Sequence, residues 1–201
     1  MFQKHRTKII FDGNSIPQGY LLKKSYPEII RDALSCEIIN LSVGGQTTLQ
    51  MIENSKNLLK IDGEILIVDE ISNDLYFGAT PEQAYHHIID YCKLSSKKCV
   101  IILPTPRENT GTPRDFEIKR QKVANLFRKD FNKTNDPEFY VNSEYATVLI
   151  DLTVDSLIGC NSCDTSKIYF QDKCHPTEIG NKYRAEKIIK AILLLQKISP
   201  N

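Results

Sequence analysis

The chain has 201 residues, 41% of them hydrophobic, and Lys+Arg 26 against Asp+Glu 25 leave a net charge of +1. With that balance and no long run of like charge, nothing favours a phosphate backbone or an anionic lipid surface, so neither nucleic acid nor a membrane is an expected partner. The opening Met-Phe-Gln-Lys-His-Arg lacks the apolar core of a signal peptide and no run nears the roughly 18 apolar residues that cross a bilayer, so a soluble, cytoplasmic chain with one domain over 1–201 is expected.

Apolar runs at Thr7 to Phe11, Cys36 to Asn40, Glu64 to Asp69, Cys99 to Pro104 and Thr147 to Leu152 predict strands, with helical spacing between them. Tyr26 to Leu34 carries Ile29, Ile30 and Ala33 on one side of a short helix, and Thr47 to Leu59 spaces Met51, Ile52 and Leu59 along another. Thr80-Pro81-Glu82-Gln83 is a helix start, since Thr caps, Pro fits the first turn and Gln reaches back; Ala84, Ile88 and Cys92 follow on one face. Thr112-Pro113-Arg114-Asp115 predicts a similar start before the row Phe116, Val123, Phe127 and Phe131. After Pro176 a last helix carries Ala185, Ile188, Ile192 and Leu195. Strands alternating with helices make a parallel sheet covered on both faces, an α/β/α sandwich. Asp155 to Phe170 reads as a long irregular loop, of a kind that is often functional.

The unusual residues fall where the strands end, the edge at which open α/β sheets bind ligands. Asp12-Gly13-Asn14-Ser15 ends the first strand, and Ser15 reads as a nucleophile, although alone it would be an ordinary turn serine. Asn40 to Thr47 contains Gly44-Gly45 before a helix, where bare N–H groups can meet an anion; a plain strand-to-helix turn is the simpler use. Asp69 to Tyr76 is densely polar, and the Asn73 amide suits a developing oxyanion, while a structural partner for the turn is the favoured role of Glu70. Arg107, after Pro104-Thr105-Pro106, either faces the Ser15 edge to hold a substrate group or makes an internal salt bridge, which is the favoured use. Asp172 and His175 are three apart, so a turn can set the carboxylate on one imidazole nitrogen and leave the other for a nucleophile.

Other chemistries find little support. His5, His86 and His87 have no comparable setting, and HExxH, a Walker loop, GxGxxG and the nucleophile-elbow pattern are absent. Cys160-Asn-Ser-Cys163 with Cys174 leaves a zinc site, a redox pair and free thiols open. A paired CxxC is missing, so free thiols are favoured and neither metal nor cofactor is expected.

From about Thr7 to Ile189 the pattern resembles the SGNH, or GDSL, hydrolase superfamily. Asp12 to Ile16, Asn40 to Thr47, Ser72-Asn73-Asp74 and Asp172-Lys-Cys-His175 are similar to its first, second, third and fifth blocks. A closer resemblance is to small bacterial and phage-borne members reading FDGNSL, VGGQTT, WEIGNDLY and TPTPR followed by FExKRQ. The resemblance implies a flavodoxin-like fold with five parallel strands in the order 2-1-3-4-5. It implies Ser15 as nucleophile, His175 as base and Asp172 as its orienting acid, with oxyanion donors from the Ser15 N–H, the Gly45 N–H and Asn73. Asn14 stands where the wider family has Asp, and Ser72 where the closer group has Gly. The implied activity is a serine esterase for a small acyl group, such as an O-acetyl group on a carbohydrate. An acyltransferase or thioesterase is the nearest alternative, and a catalytically silent carbohydrate-binding module is one of another class. Tyr76 and Arg107 are the expected substrate contacts; Tyr20, Leu21, Leu22 and Phe77 could line an acyl pocket or simply cover the core.

Overall fold

The computed structural model describes residues 6–159 and 166–198. Strands β1 (Lys8–Gly13), β2 (Glu37–Asn40), β3 (Ile65–Asp69), β4 (Lys98–Ile102), β5 (Asn132–Lys133), β6 (Phe139–Asn142) and β7 (Thr147–Ile150) form one sheet in the order β2-β1-β3-β4-β7-β6-β5. The five expected strands are the parallel part, in the expected order, with β7 as the fifth. The sheet is nevertheless mixed, because β6 and β5 add an antiparallel edge beyond β7. The two residues of β5 are too few for a periodic signal, and Phe139 and Tyr140 of β6 follow a polar turn that masks them.

Helices α1 (Ser15–Gln18), α2 (Tyr26–Leu34), α3 (Thr48–Glu53), α4 (Ser55–Leu58), α5 (Ser72–Tyr76), α6 (Pro81–Ser95), α7 (Phe116–Asp130), α8 (Ser166–Tyr169) and α9 (Glu178–Leu195) fill the connections. Strand pleating sends alternate side chains into two cores. Ile9, Phe11, Ile67, Val100 and Val148 pack with Ile30 of α2 and Ile188 and Ile192 of α9. Ile10, Leu66, Val68, Ile101 and Leu149 pack with Met51 of α3, Ile88 of α6 and Val123 and Phe127 of α7. The result is a three-layer α/β/α sandwich, and burial on both faces explains why its central strands read as unbroken apolar runs.

Local differences have local causes. The expected helix from Thr47 to Leu59 breaks at Asn54, so Leu58 becomes buried and Leu59 is exposed. In α2, Tyr26 and Pro27 do the burying with Ile30, while Ala33 faces outward. Thr112 does not cap α7: its hydroxyl donates to the Asn109 carbonyl at 2.8 Å, and Asp115 stands before the first helical turn instead. The loop from Asp155 contains α8, and Cys160 and Cys163 lie outside the described residues. Cys174 is a buried free thiol whose pKa burial pushes up to about 11. Among the described residues no helix is long and apolar enough to cross a membrane.

One buried ion pair ties the end of the sheet to the last helix. Arg184 of α9 donates to both carboxylate oxygens of Asp69, at 2.9 and 3.1 Å, and the Tyr26 hydroxyl donates to the same carboxylate at 2.7 Å. Both charged side chains are almost wholly buried. Removing one member strands the other charge in the core, so Arg184→Met should lower the unfolding free energy by about 3–5 kcal/mol in urea titrations. A loss below about 1 kcal/mol would mean that water reaches Asp69.

Candidate active site

The five parallel strands deliver the chain to one edge, and three of their connections are joined there by buried carboxylates. Gly13 must be glycine, because a Cβ there would lie 2.4 Å from the Asp69 carbonyl oxygen of the neighbouring strand. Asn14 then caps α1, its Oδ1 accepting the Ile16 N–H at 2.9 Å, and Ser15 is the first helical residue. The other end of the Asn14 amide donates to Glu70 Oε2. Glu70 Oε1 accepts the backbone N–H of Asn73 at 2.7 Å and of Asp74 at 3.1 Å, at the start of α5. Burial, and after it the Asp74 charge, push the Glu70 pKa well above the ordinary carboxylate range, while its three donors work the other way. Glu70 is thus structural, as the sequence favours.

This arrangement accounts for Asn14 where Asp is usual: an Asp would lose the donor and set a second carboxylate against Glu70. A companion acid, Asp74, accepts the Thr48 N–H at 2.8 Å and its hydroxyl at 2.6 Å, tying α5 to the start of α3. Burial raises the Asp74 pKa against those donations. Asp12 accepts from the Tyr91 hydroxyl and, at 3.0 Å, from Gln46 Nε2, and burial raises it too.

Gly44 and Gly45, expected to open a helix, instead occupy the middle of a turn closed by the Gln46 N–H on the Val43 carbonyl at 3.1 Å, and the helix starts only at Thr48 behind its own cap Thr47. Gly45 has φ +80°, the left-handed angle that the third position of a type II turn requires. The turn lies against α1: a Cβ on Gly44 would come 3.8 Å from the Ser15 Cβ. The N–H groups of Ser15 and Gly45 have no acceptor among the described residues. Asn73 Nδ2 spends one proton on the Gln46 carbonyl at 2.9 Å and keeps the other.

His175 arrives from far along the chain in a turn that its own neighbour shapes. Asp172 Oδ1 accepts the backbone N–H of Cys174 at 3.1 Å and of His175 at 2.7 Å, while its Oδ2 lies 2.7 Å from His175 Nδ1. A carboxylate beside Nδ1 holds the proton there and leaves Nε2 as an acceptor. Nε2 is 2.9 Å from Ser15 Oγ. Burial pushes the Asp172 pKa up, but donation from the His175 ring and from the two backbone N–H groups outweighs it, so the group lies below its ordinary value and stays ionised. The Tyr20 ring packs against the imidazole at a tilt of 47°, with ring centroids 4.7 Å apart.

The two expected substrate contacts touch each other. Arg107 lies over the Tyr76 ring, and its donors go to Asn73 and Asn109, so the favoured internal salt bridge is replaced by two amide acceptors. Sequence reasoning also passed over Gln46, Thr48 and Tyr91, which hold the site from behind. Polar residues beside a glycine pair or a strand end are a usable signal for the first two; Tyr91 sits in an ordinary helical row. An apolar cavity of about 410 Å³ lies at the opposite edge, lined by Lys98 and Thr147 at the starts of β4 and β7, and takes no part in this constellation.

The sequence matches no protein-family model and no curated protein. Solved structures match it along nearly its whole length. A member of the lipolytic protein G-D-S-L family from Veillonella parvula superposes with a TM-score of 0.70 at 18% identity, over 93% of this chain and 98% of that one. AlinE4, an SGNH-hydrolase family esterase, gives 0.63 at 18% identity over 95% and 97%. The psychrotrophic esterase EstA from Pseudoalteromonas sp., in a structure inhibited by monoethylphosphonate, gives 0.63 at 14% identity over 93% and 97%. The fold is therefore that of the G-D-S-L, or SGNH, hydrolases.

The link between Asn14 and Glu70 sets a pH-dependent expectation. Asn14→Asp should destabilise the protein by about 1–3 kcal/mol near neutral pH, since a buried donor is lost and an acceptor replaces it. An acid whose folded pKa is raised makes its ionised form a cost that grows as pH rises above the unfolded value, and the introduced carboxylate would raise Glu70 further. The penalty should shrink as pH falls toward 5, and Glu70→Gln should relieve it. Urea titrations of Asn14→Asp, Glu70→Gln and the double variant between pH 5 and 8 check this; a penalty independent of pH would separate Asn14 from the Glu70 charge.

Proposed function

We propose that the protein is a serine ester hydrolase acting through an acyl-Ser15 intermediate on an ester of a small acyl group, such as an O-acetyl group on a carbohydrate. The observation that carries the reading is the unbroken run of hydrogen bonds from Ser15 Oγ through His175 to Asp172, set beside N–H groups that have no acceptor of their own. His175 Nε2 takes the Ser15 proton as Oγ attacks the ester carbonyl, and Asp172 holds the ring in the required tautomer and balances the imidazolium. Negative charge then grows on the carbonyl oxygen. The Ser15 and Gly45 N–H groups and the spare Asn73 proton are its donors, each contributing on the order of 3 kcal/mol to the transition state. Collapse returns the proton to the departing alkoxide, and water activated by the same imidazole releases the acid.

Water, the acceptor in this reading, can reach the base from the Asp172 side, where the Asp172 side chain is 39% exposed. A small acyl group is preferred because the apolar cavity lined by Ile89, Ile101 and Phe131 lies at the opposite edge of the sheet and cannot receive a long acyl chain attached at Ser15. The resemblance in fold to an SGNH-family esterase and to EstA supports the same class of reaction.

Ser15→Ala should abolish hydrolysis of a short-chain aryl ester while leaving the unfolding midpoint in place, and an ethylphosphonate ester should inactivate the wild-type chain by adding to Ser15. Hydrolysis retained by Ser15→Ala, or labelling elsewhere by mass spectrometry, would sink the reading. Asn73→Ala should lower kcat about a hundredfold or more at nearly constant KM. An unchanged kcat would remove Asn73 from the donor set. Among acetyl to octanoyl esters and acetylated sugars, the acetyl compounds should be the best substrates.

A further inference from the structure

Arg107 leaves the end of β4 toward Asn73, and its guanidinium is held on three sides. Nη1 donates to Asn73 Oδ1 at 3.0 Å and Nε to Asn109 Oδ1 at 2.8 Å, while Cζ stands 3.8 Å from the centroid of the Tyr76 ring. The Thr112 hydroxyl lies 2.8 Å from the Asn109 carbonyl oxygen and 3.0 Å from its Oδ1, so its one proton is shared between them. The segment is also tied to the histidine turn, where the Glu108 N–H donates to the Lys173 carbonyl at 3.0 Å. Tyr76 is one helical turn beyond Asn73 on α5, so the ring and the amide together make the seat for the guanidinium.

An Asn amide has two chemically different ends, and each has a partner of one kind only. The Gln46 carbonyl can only accept, so it takes Nδ2; a guanidinium can only donate, so it takes Oδ1. Flipping the amide would set carbonyl against carbonyl and N–H against cation, losing both bonds. The second Nδ2 proton, used by neither partner, is therefore aimed in one direction. A cationic donor on Oδ1 also draws charge out of the amide and makes that N–H a stronger donor.

We propose that Arg107 is a positioning residue that acts on the reaction through Asn73, fixing the orientation of its amide and polarising the proton offered to the oxyanion. This inference rests on the reading of Asn73 as an oxyanion donor. It also explains why the chain uses Arg here: a Lys ammonium lacks the planar fork that meets two amide oxygens while stacking on Tyr76.

The hold on the amide is tested without any substrate. In proton–nitrogen correlation spectra the Asn73 side-chain pair is identified by its disappearance in Asn73→Ala. In Arg107→Ala and Arg107→Lys that pair should move toward the positions of solvated amides and broaden, and a pair unmoved in Arg107→Ala would overturn the proposal. The kinetic consequence is read on a short-chain aryl ester. Arg107→Ala should lower kcat about tenfold to a hundredfold, with KM changed less than about twofold and no further loss when Asn73→Ala is already present. Losses that multiply in the double variant, or a KM raised at constant kcat, would make Arg107 a direct substrate contact and overturn it. A wild-type chain without esterase activity would defeat the functional reading, and the spectra would still decide whether Arg107 holds Asn73.

Discussion

The Glu70 carboxylate is where the edge of the sheet closes. Its two oxygens accept the Asn14 amide and the backbone N–H groups of Asn73 and Asp74, so one side chain joins the turn that carries Ser15 to the helix that carries the Asn73 amide. Each of those donors is buried, and leaving one unmet costs about 1–3 kcal/mol. Burial makes the charge itself unfavourable, which is the reason its pKa is driven up. The fold tolerates that cost because no apolar group could meet three converging donors.

Behind the site stand four buried acids, Asp12, Asp69, Glu70 and Asp74, and in front stand donors. Their unscreened charge would oppose an oxyanion forming at the same edge. Two features temper it: burial raises Asp12, Glu70 and Asp74, and Arg184 neutralises Asp69. Asp172 differs from all four, being partly exposed and held below its ordinary value by His175 and the backbone, which suits the one acid whose charge the proposed reaction uses.

Much of this was legible in the sequence. The apolar runs gave the parallel strands because both sheet faces are covered, and the rows of α6, α7 and α9 gave their buried faces because one stripe of each meets the sheet. Ser15, Asn73, Asp172 and His175 were visible as polar residues at strand ends and in a tight turn. The β5–β6 hairpin was not, because strands that short carry too few alternations. The late start of α7 was missed for another reason: Thr112 is a good cap locally, yet its hydroxyl is taken by Asn109. The expected salt bridge of Arg107 failed in the same way, since a cation at a strand end can be met as well by amide oxygens and a ring face.

By itself the sequence determined the layers, the order of chemistry-bearing residues along the chain, and the short-range geometry of the Asp172–His175 turn, in which three-residue spacing lets one carboxylate hold both the backbone and the ring. Only the tertiary structure decided that His175 meets Ser15, that Asn14 answers Glu70, and that Arg107 meets Asn73 rather than a carboxylate. Those pairings join residues 34 to 160 positions apart. Local propensity and periodicity act over a turn or two, whereas which distant donor meets which acceptor is set by strand order and by the requirement that every buried polar group find a partner.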